Sequence, residues 1–368
     1  MSSRRGAPLF VIAMVSTILV LLVPLAAQTA GAKPRPWTPL TTADGQPDLE
    51  GVWTDTSATP LERPAAFAGR SLLTDEEVRR LKERWDRLSS SDNDFLAGDN
   101  FFLALVADLP SVNNPNATGT ALNMVPRVFD NRTSLITDPA DGRIPPLTPE
   151  GLKRQAAAQA STLAIPWQPG VDAATARQRQ AAAEANRALP SGPEDLSNLL
   201  RCISWGVPKL SGNFNYASHY QIIQSPGSFI LLNEVNHEAR IIPIDGRAHL
   251  PQTLRQWNGD SRGHWEGPTL IVDTTNFSPK SFFMGSAADL HLTERFRRIS
   301  ADTITYEVTI DDRTTWTRPW TAVVRLQRSE DSLYESACHE GNYEVISGIL
   351  AGARAEEKAR RGVSGATP

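Results

Sequence analysis

The sequence predicts a mainly β protein: an antiparallel, barrel-like meander with a helical, loop-rich insertion after its first strand. Three observations carry this. From Tyr220 to Glu340, eight short strand patterns follow one another with no long helix between them. Turn signals such as Pro226-Gly227 and Asp245-Gly246 separate them; proline presets the first turn angle and glycine supplies the positive one. Far upstream stands an isolated strand pattern, Asp48-Leu49-Glu50-Gly51-Val52-Trp53-Thr54. A long antiparallel meander has two edges to hide, and curling into a barrel or sandwich hides them.

At the start of the chain, Arg4 and Arg5 precede an apolar run from Leu9 to Ala27, and Ala30-Gly31-Ala32 offers small residues for cleavage. Residues 1–32 therefore read as a signal peptide, with an uncleaved anchor as the alternative. Either reading places the remainder outside the cytoplasm, periplasmic or secreted. Residues 33–69 form a lead-in rich in Pro, Thr and Gly, followed by the first strand.

Residues 70–200 read as the insertion. Thr74-Asp75-Glu76-Glu77 is a capping box, and Val78, Leu81, Trp85 and Leu88 follow at helical spacing, a packing stripe rather than a binding face. A polar stretch surrounds a short apolar piece, Phe101–Leu109, and Arg132–Pro139 gives a short strand and turn. Thr148 and Pro149 mark a helix start, and the Ala- and Gln-rich pieces 150–160 and 173–188 are helix formers with few large apolar residues. Residues 201–350 hold the barrel-like domain, whose expected strands are Tyr220–Gln224, Phe229–Val235, Arg240–Ile244, Thr269–Thr275, Leu290–Ile299, Thr303–Ile310, Thr321–Arg328 and Leu333–Glu340. Residues 351–368 are a C-terminal tail.

The net charge of −4 becomes −6 once residues 1–32, with two arginines and no acids, are removed. No basic block stands out, so nucleic acid and an anionic membrane surface are not expected partners. Two cysteines, Cys202 and Cys338, in an oxidising compartment are a candidate disulfide; two separately buried thiols are the alternative.

The phrases Gly259-Asp260-Ser261-Arg262-Gly263-His264-Trp265-Glu266-Gly267, Val272-Asp273-Thr274-Thr275-Asn276-Phe277, Thr315-Trp316-Thr317-Arg318-Pro319-Trp320 and Cys338-His339-Glu340-Gly341-Asn342-Tyr343 resemble a family of secreted bacterial proteins of unknown function. That resemblance spans about Pro47 to Glu357, implies a signal peptide and supplies no activity. Pro268 departs from it, standing where an acidic residue is expected. Separately, Gly51-Val52-Trp53 resembles the opening strand of lipocalin-type barrels, where the tryptophan closes one end.

Strand parity sorts the polar groups, because alternate residues share a face. Leu290, Leu292 and Phe296 carry Glu294 inward, and Ile304, Tyr306, Val308 and Ile310 complete the interior. In Leu333–Glu340, Glu335 and His339 share a face with Leu333 and Ala337. Glu234 and His237 lie at a rim. Inward carboxylates cost several kcal/mol unless paired or solvated. Two outcomes are open: an ion-pair network, for instance with Arg240 or Arg298, or a wet functional cavity.

The functional expectation is cofactor-free general acid/base chemistry of lyase, isomerase, hydratase or hydrolase type. His339 would transfer protons, Glu335 and Glu294 would assist, Glu234 and His237 would sit at the rim, and Trp265, Tyr306, Trp316 and Trp320 would hold a small apolar or aromatic molecule. The runner-up is a small-molecule carrier without catalysis. A metal ion held through His237, His291 and His339, with Glu234 and Glu294, is a minority reading, since no zinc spacing is recognisable. There is no Gly-X-Ser-X-Gly elbow, phosphate-binding glycine loop or dinucleotide fingerprint.

Overall fold

The short strand around Trp53 lies in the middle of the sheet although it comes first in sequence. In the computed structural model, which describes residues 37–38, 40–89, 127–160, 189–210, 219–281 and 283–364, β1 (Gly51–Thr54) is inserted between β3 (His219–Ser225) and β10 (Trp320–Arg328). The expected leader 1–32, the apolar piece Phe101–Leu109 and the Ala-rich piece 173–188 lie outside the described residues. The main path of the sheet is completed by β4 (Ser228–Asn233), β5 (Ala239–Pro243), β6 (Asp260–Glu266), β7 (Thr269–Thr275), β8 (His291–Ser300) and β9 (Thr303–Asp311). Its order is β5-β4-β3-β1-β10-β9-β8-β7-β6, antiparallel throughout, with β2 (Ile136–Asp138) pairing β10 to one side. The result is a mainly β, nearly closed, lipocalin-like barrel.

Parity holds along the long strands. On β9, Ile304, Tyr306, Val308 and Ile310 are buried while the intervening residues are partly exposed, and on β8 Leu292, Glu294, Phe296 and Arg298 are buried. One end of the interior is filled by Phe283, Trp316 and Trp320, the two tryptophan rings meeting edge-on at 5.7 Å. Elsewhere Trp53 is fully buried, donates its indole N–H to Leu49 O at 2.9 Å and lies under the guanidinium groups of Arg298 and Arg328.

Closure occurs where β5 faces β6 without a hydrogen-bonded ladder between them. Gly263 permits the approach: a Cβ there would stand 2.7 Å from Ile244 Cγ2 and 3.2 Å from Ile242 Cγ2. β6 itself is not among the strands expected from sequence. Its side chains, Asp-Ser-Arg-Gly-His-Trp-Glu, carry almost no apolar alternation, and pairing with β7 makes it a strand.

The expected strand Leu333–Glu340 is absent. This stretch forms turns with one isolated bridge, Ser336 to Val235, and leads into helix Asn342–Ser364, which also runs through the stretch read as a tail. Alternation in Leu333–Glu340 has no partner strand to satisfy, because β1 and β2 already flank β10.

The insertion supplies α1 (Asp75–Ser89) and α2 (Pro149–Ala160), so Asn342–Ser364 is α3. The capping box forms as expected: Thr74 N–H donates to Glu77 Oε2 at 2.8 Å and Glu77 N–H to Thr74 Oγ1 at 3.2 Å. Gly151 N–H donates to Thr148 Oγ1 at 3.0 Å, capping α2. No helix among the described residues is long and apolar enough to cross a membrane.

Candidate functional site

A polar cluster is buried inside the sheet around Glu294, which is 1 % exposed. Arg240, from β5, grips both carboxylate oxygens, with Nη1 to Oε1 at 2.9 Å and Nη2 to Oε2. The same guanidinium donates to Thr274 Oγ1 at 2.7 Å on β7 and to Ser261 Oγ at 3.0 Å on β6. Tyr306 O–H donates to Glu294 Oε1 at 2.9 Å. Burial opposes the Arg240 charge, but Glu294 outweighs it and holds the guanidinium pKa above its ordinary value; burial and the Glu294 charge push the Tyr306 phenol well up. The cluster is a fixed, charge-balanced wall.

Beside this wall is a cavity of about 50 Å³, lined in part by Val207 and Lys209. Lys209 is the cavity's one lysine among the described residues. Its ammonium nitrogen is buried with no hydrogen-bond partner among the described residues, and it lies 6.0 Å from the ring centre of Trp205 and 5.9 Å from that of Tyr220. Burial lowers its pKa to about 7, against the pull of Glu238 and with a further push from Arg240. Asn233, 4 % exposed at the end of β4, lines the same cavity, and among the described residues neither its amide nitrogen nor its amide oxygen has a partner. Phe296 and Tyr306, their rings tilted with centres 4.8 Å apart, also line it.

A larger groove of about 540 Å³ adjoins this cavity, the two sharing Val207. Trp205, Trp257, Phe277 and Phe283 give it an aromatic lining, with Arg201 and Lys280 balanced by Glu194 and Asp195. Its outer wall, residues 194–207, is braced from behind. Cys202 and Cys338 form a disulfide, Cα to Cα 5.8 Å, and Asn342 Nδ2 donates to Leu200 O at 2.9 Å. The stretch Cys338–Tyr343 thus acts as a brace in this fold.

Compared with known proteins, the chain matches no family model, no curated protein and no solved structure.

The residues singled out from sequence are only partly brought together. Glu294 and Tyr306 meet in the polar cluster, whereas Glu335 and His339 are exposed beyond the last strand, since the parity that pointed them inward required a strand that does not form. Glu234 pairs with His219 Nδ1 at 3.2 Å. His237 is exposed in the β4–β5 turn at φ 48°. Trp316 and Trp320 fill the core and line neither cavity, and Trp265 packs partly buried against that core. Arg298 pairs with Asp48 at 3.1 Å instead of Glu294.

The minority metal set is scattered, and among the described residues no three His, Cys, Asp or Glu side chains converge to hold an ion. His291 instead bonds Asp273 on the outer face of β7 and β8 at 2.5 Å, and His249 bridges Asp273 and Asp260 at 2.8 and 2.9 Å. Lys209 and Asn233 are absent from the sequence expectation. The available signals were a lone cation in Val207-Pro208-Lys209-Leu210 and an amide sharing parity with Phe229 and Leu231.

Proposed function

We propose that the protein is an extracytoplasmic enzyme that performs acid/base chemistry on a small, partly apolar molecule without an organic cofactor, with Lys209 in place of His339 as the proton-transfer group. The observation that carries this reading is the geometry at Lys209: a buried amine with no partner among the described residues, facing a cavity walled by Glu294, Tyr306 and Phe296. An amine whose pKa is lowered to about 7 exchanges protons readily near neutrality. The Glu294–Arg240 pair contributes a fixed electrostatic environment rather than a mobile proton. The basic, apolar N-terminal run and the disulfide support an oxidising compartment.

A panel of small enolisable and hydratable compounds in D₂O, followed by NMR, tests the reading. Deuterium incorporation or turnover that disappears in Lys209→Met, with the fold intact by circular dichroism, is the expected result. Turnover unchanged in that variant removes Lys209 from the chemistry. The carrier reading is supported by the 540 Å³ aromatic groove, which is large enough for a drug-sized ligand. Saturable quenching of tryptophan fluorescence with no turnover of any compound in the panel favours it.

A further inference from the structure

Lys209 stands apart from the other lysines of the described chain. Lys82, Lys153, Lys280 and Lys358 are exposed. The acids around Lys209 are already committed: Glu238 accepts from Asn258 Nδ2 and from Trp205 N–H at 3.2 Å, and Glu294 is held by Arg240 and Tyr306. Among the described residues no carboxylate is hydrogen-bonded to the amine. A nucleophilic lysine requires only a neutral nitrogen, dry walls and a donor for the oxygen it displaces.

Building on the acid/base reading of the same cavity, we infer that Lys209 is a covalent nucleophile that forms an imine with small, uncharged aldehydes or ketones. The amine lone pair attacks the carbonyl carbon, forming a C–N bond and a carbinolamine. Its C–O bond then breaks, and the oxygen leaves as water with both hydrogens of the amine, so the step needs no oxidant or reductant. The amide of Asn233, unpartnered among the described residues, lines the same cavity and can donate to that oxygen. Phe296, Leu231 and Leu326 supply apolar walls that slow the return of water.

The ligand class follows from size and charge. A cavity of about 50 Å³ holds a few water-sized groups, hence a carbonyl compound of about three to five heavy atoms, or the carbonyl end of a longer molecule lying in the adjoining groove. An anionic ligand gains little, because the Arg240 charge is already neutralised by Glu294.

The test is reductive trapping. The purified full chain is incubated with acetaldehyde and cyanoborohydride at pH 7, digested, and mapped by mass spectrometry. An ordinary lysine, with pKa about 10.4, is less than about a thousandth neutral at that pH. The expected result is an ethyl group on Lys209 at about tenfold or more the occupancy of any exposed lysine, with acetone giving the corresponding isopropyl adduct. Because the adduct is read in the wild type, the result does not depend on a variant folding. Ethylation spread over the exposed lysines with Lys209 unmodified overturns the imine. If deuterium exchange in the compound panel still depends on Lys209 in that case, the acid/base reading stands and only the covalent step falls; if neither is seen, both fall.

Discussion

Arg240 on β5 and Glu294 on β8 form a bidentate pair across the interior, joining the first edge strand of the sheet to the far side of its open seam. Through the same guanidinium, β5 also reaches Ser261 on β6 and Thr274 on β7. Between β5 and β6 the backbone makes no ladder, so this side-chain fan takes the place of strand pairing at the seam. Both charges are almost wholly removed from water, with side-chain exposures of 9 % and 2 %.

Removing one partner therefore leaves a buried charge unmatched. Glu294→Gln should destabilise the protein by about 3 to 5 kcal/mol, whereas Arg240→Met with Glu294→Met should recover much of the loss, because an apolar pair has no charge to desolvate. Urea titration of the single and double variants measures both. A double variant as unstable as the single one would show that the pair closes the seam by geometry rather than by charge balance.

Lys209 should leave a signature in stability against pH. Its folded pKa of about 7 lies below the ordinary lysine value of 10.5, so between these values the unfolded chain binds more protons than the folded one. Stability therefore rises with pH across that window, and acidification through pH 7 completes the loss. Compared with the wild type, Lys209→Met should lack this rise and gain stability below pH 7. Thermal melts of both proteins from pH 6 to 10 check the sign.

The disulfide spans 136 residues of sequence. In the chain-entropy model so long a loop is worth about 5 kcal/mol, so Cys338→Ser or full reduction should lower stability by up to that amount. Release of the brace behind residues 194–207 should also weaken any ligand of the groove. Calorimetry with and without reductant measures the first effect, and tryptophan quenching the second.

His339→Ala should leave stability within about 0.5 kcal/mol, as an exposed site outside the sheet does. Any activity in the compound panel should likewise be unchanged. Loss of activity in this variant would return the chemistry to the stretch after Cys338.

How much was legible in the sequence differs from strand to strand. β8, β9 and β10 were readable because apolar residues alternate along them, and β7 because Leu270-Ile271-Val272 is a short apolar run bounded by threonines and the Glu266-Gly267-Pro268 turn. β6 was not, since its inward positions are Ser261, Gly263 and Trp265, chosen to accommodate Arg240 and the β5 side chains rather than to fill a core. Leu333–Glu340 failed in the opposite sense: local alternation is present, but a strand needs a neighbour.

By itself, the sequence determined the class of fold, the inward turn of Glu294 and Tyr306, the helix caps at Thr74 and Thr148, and the candidacy of Cys202 and Cys338 as a bridge. These follow from local periodicity, capping chemistry and cysteine count, which operate over a few residues or on composition. Only the tertiary structure decided that Arg240 meets Glu294, that β1 enters between β3 and β10, and that Lys209 shares a cavity with Asn233. Those relations join residues far apart in the chain, and burial, which shifts the Lys209 pKa, exists only once the sheet has curled around it.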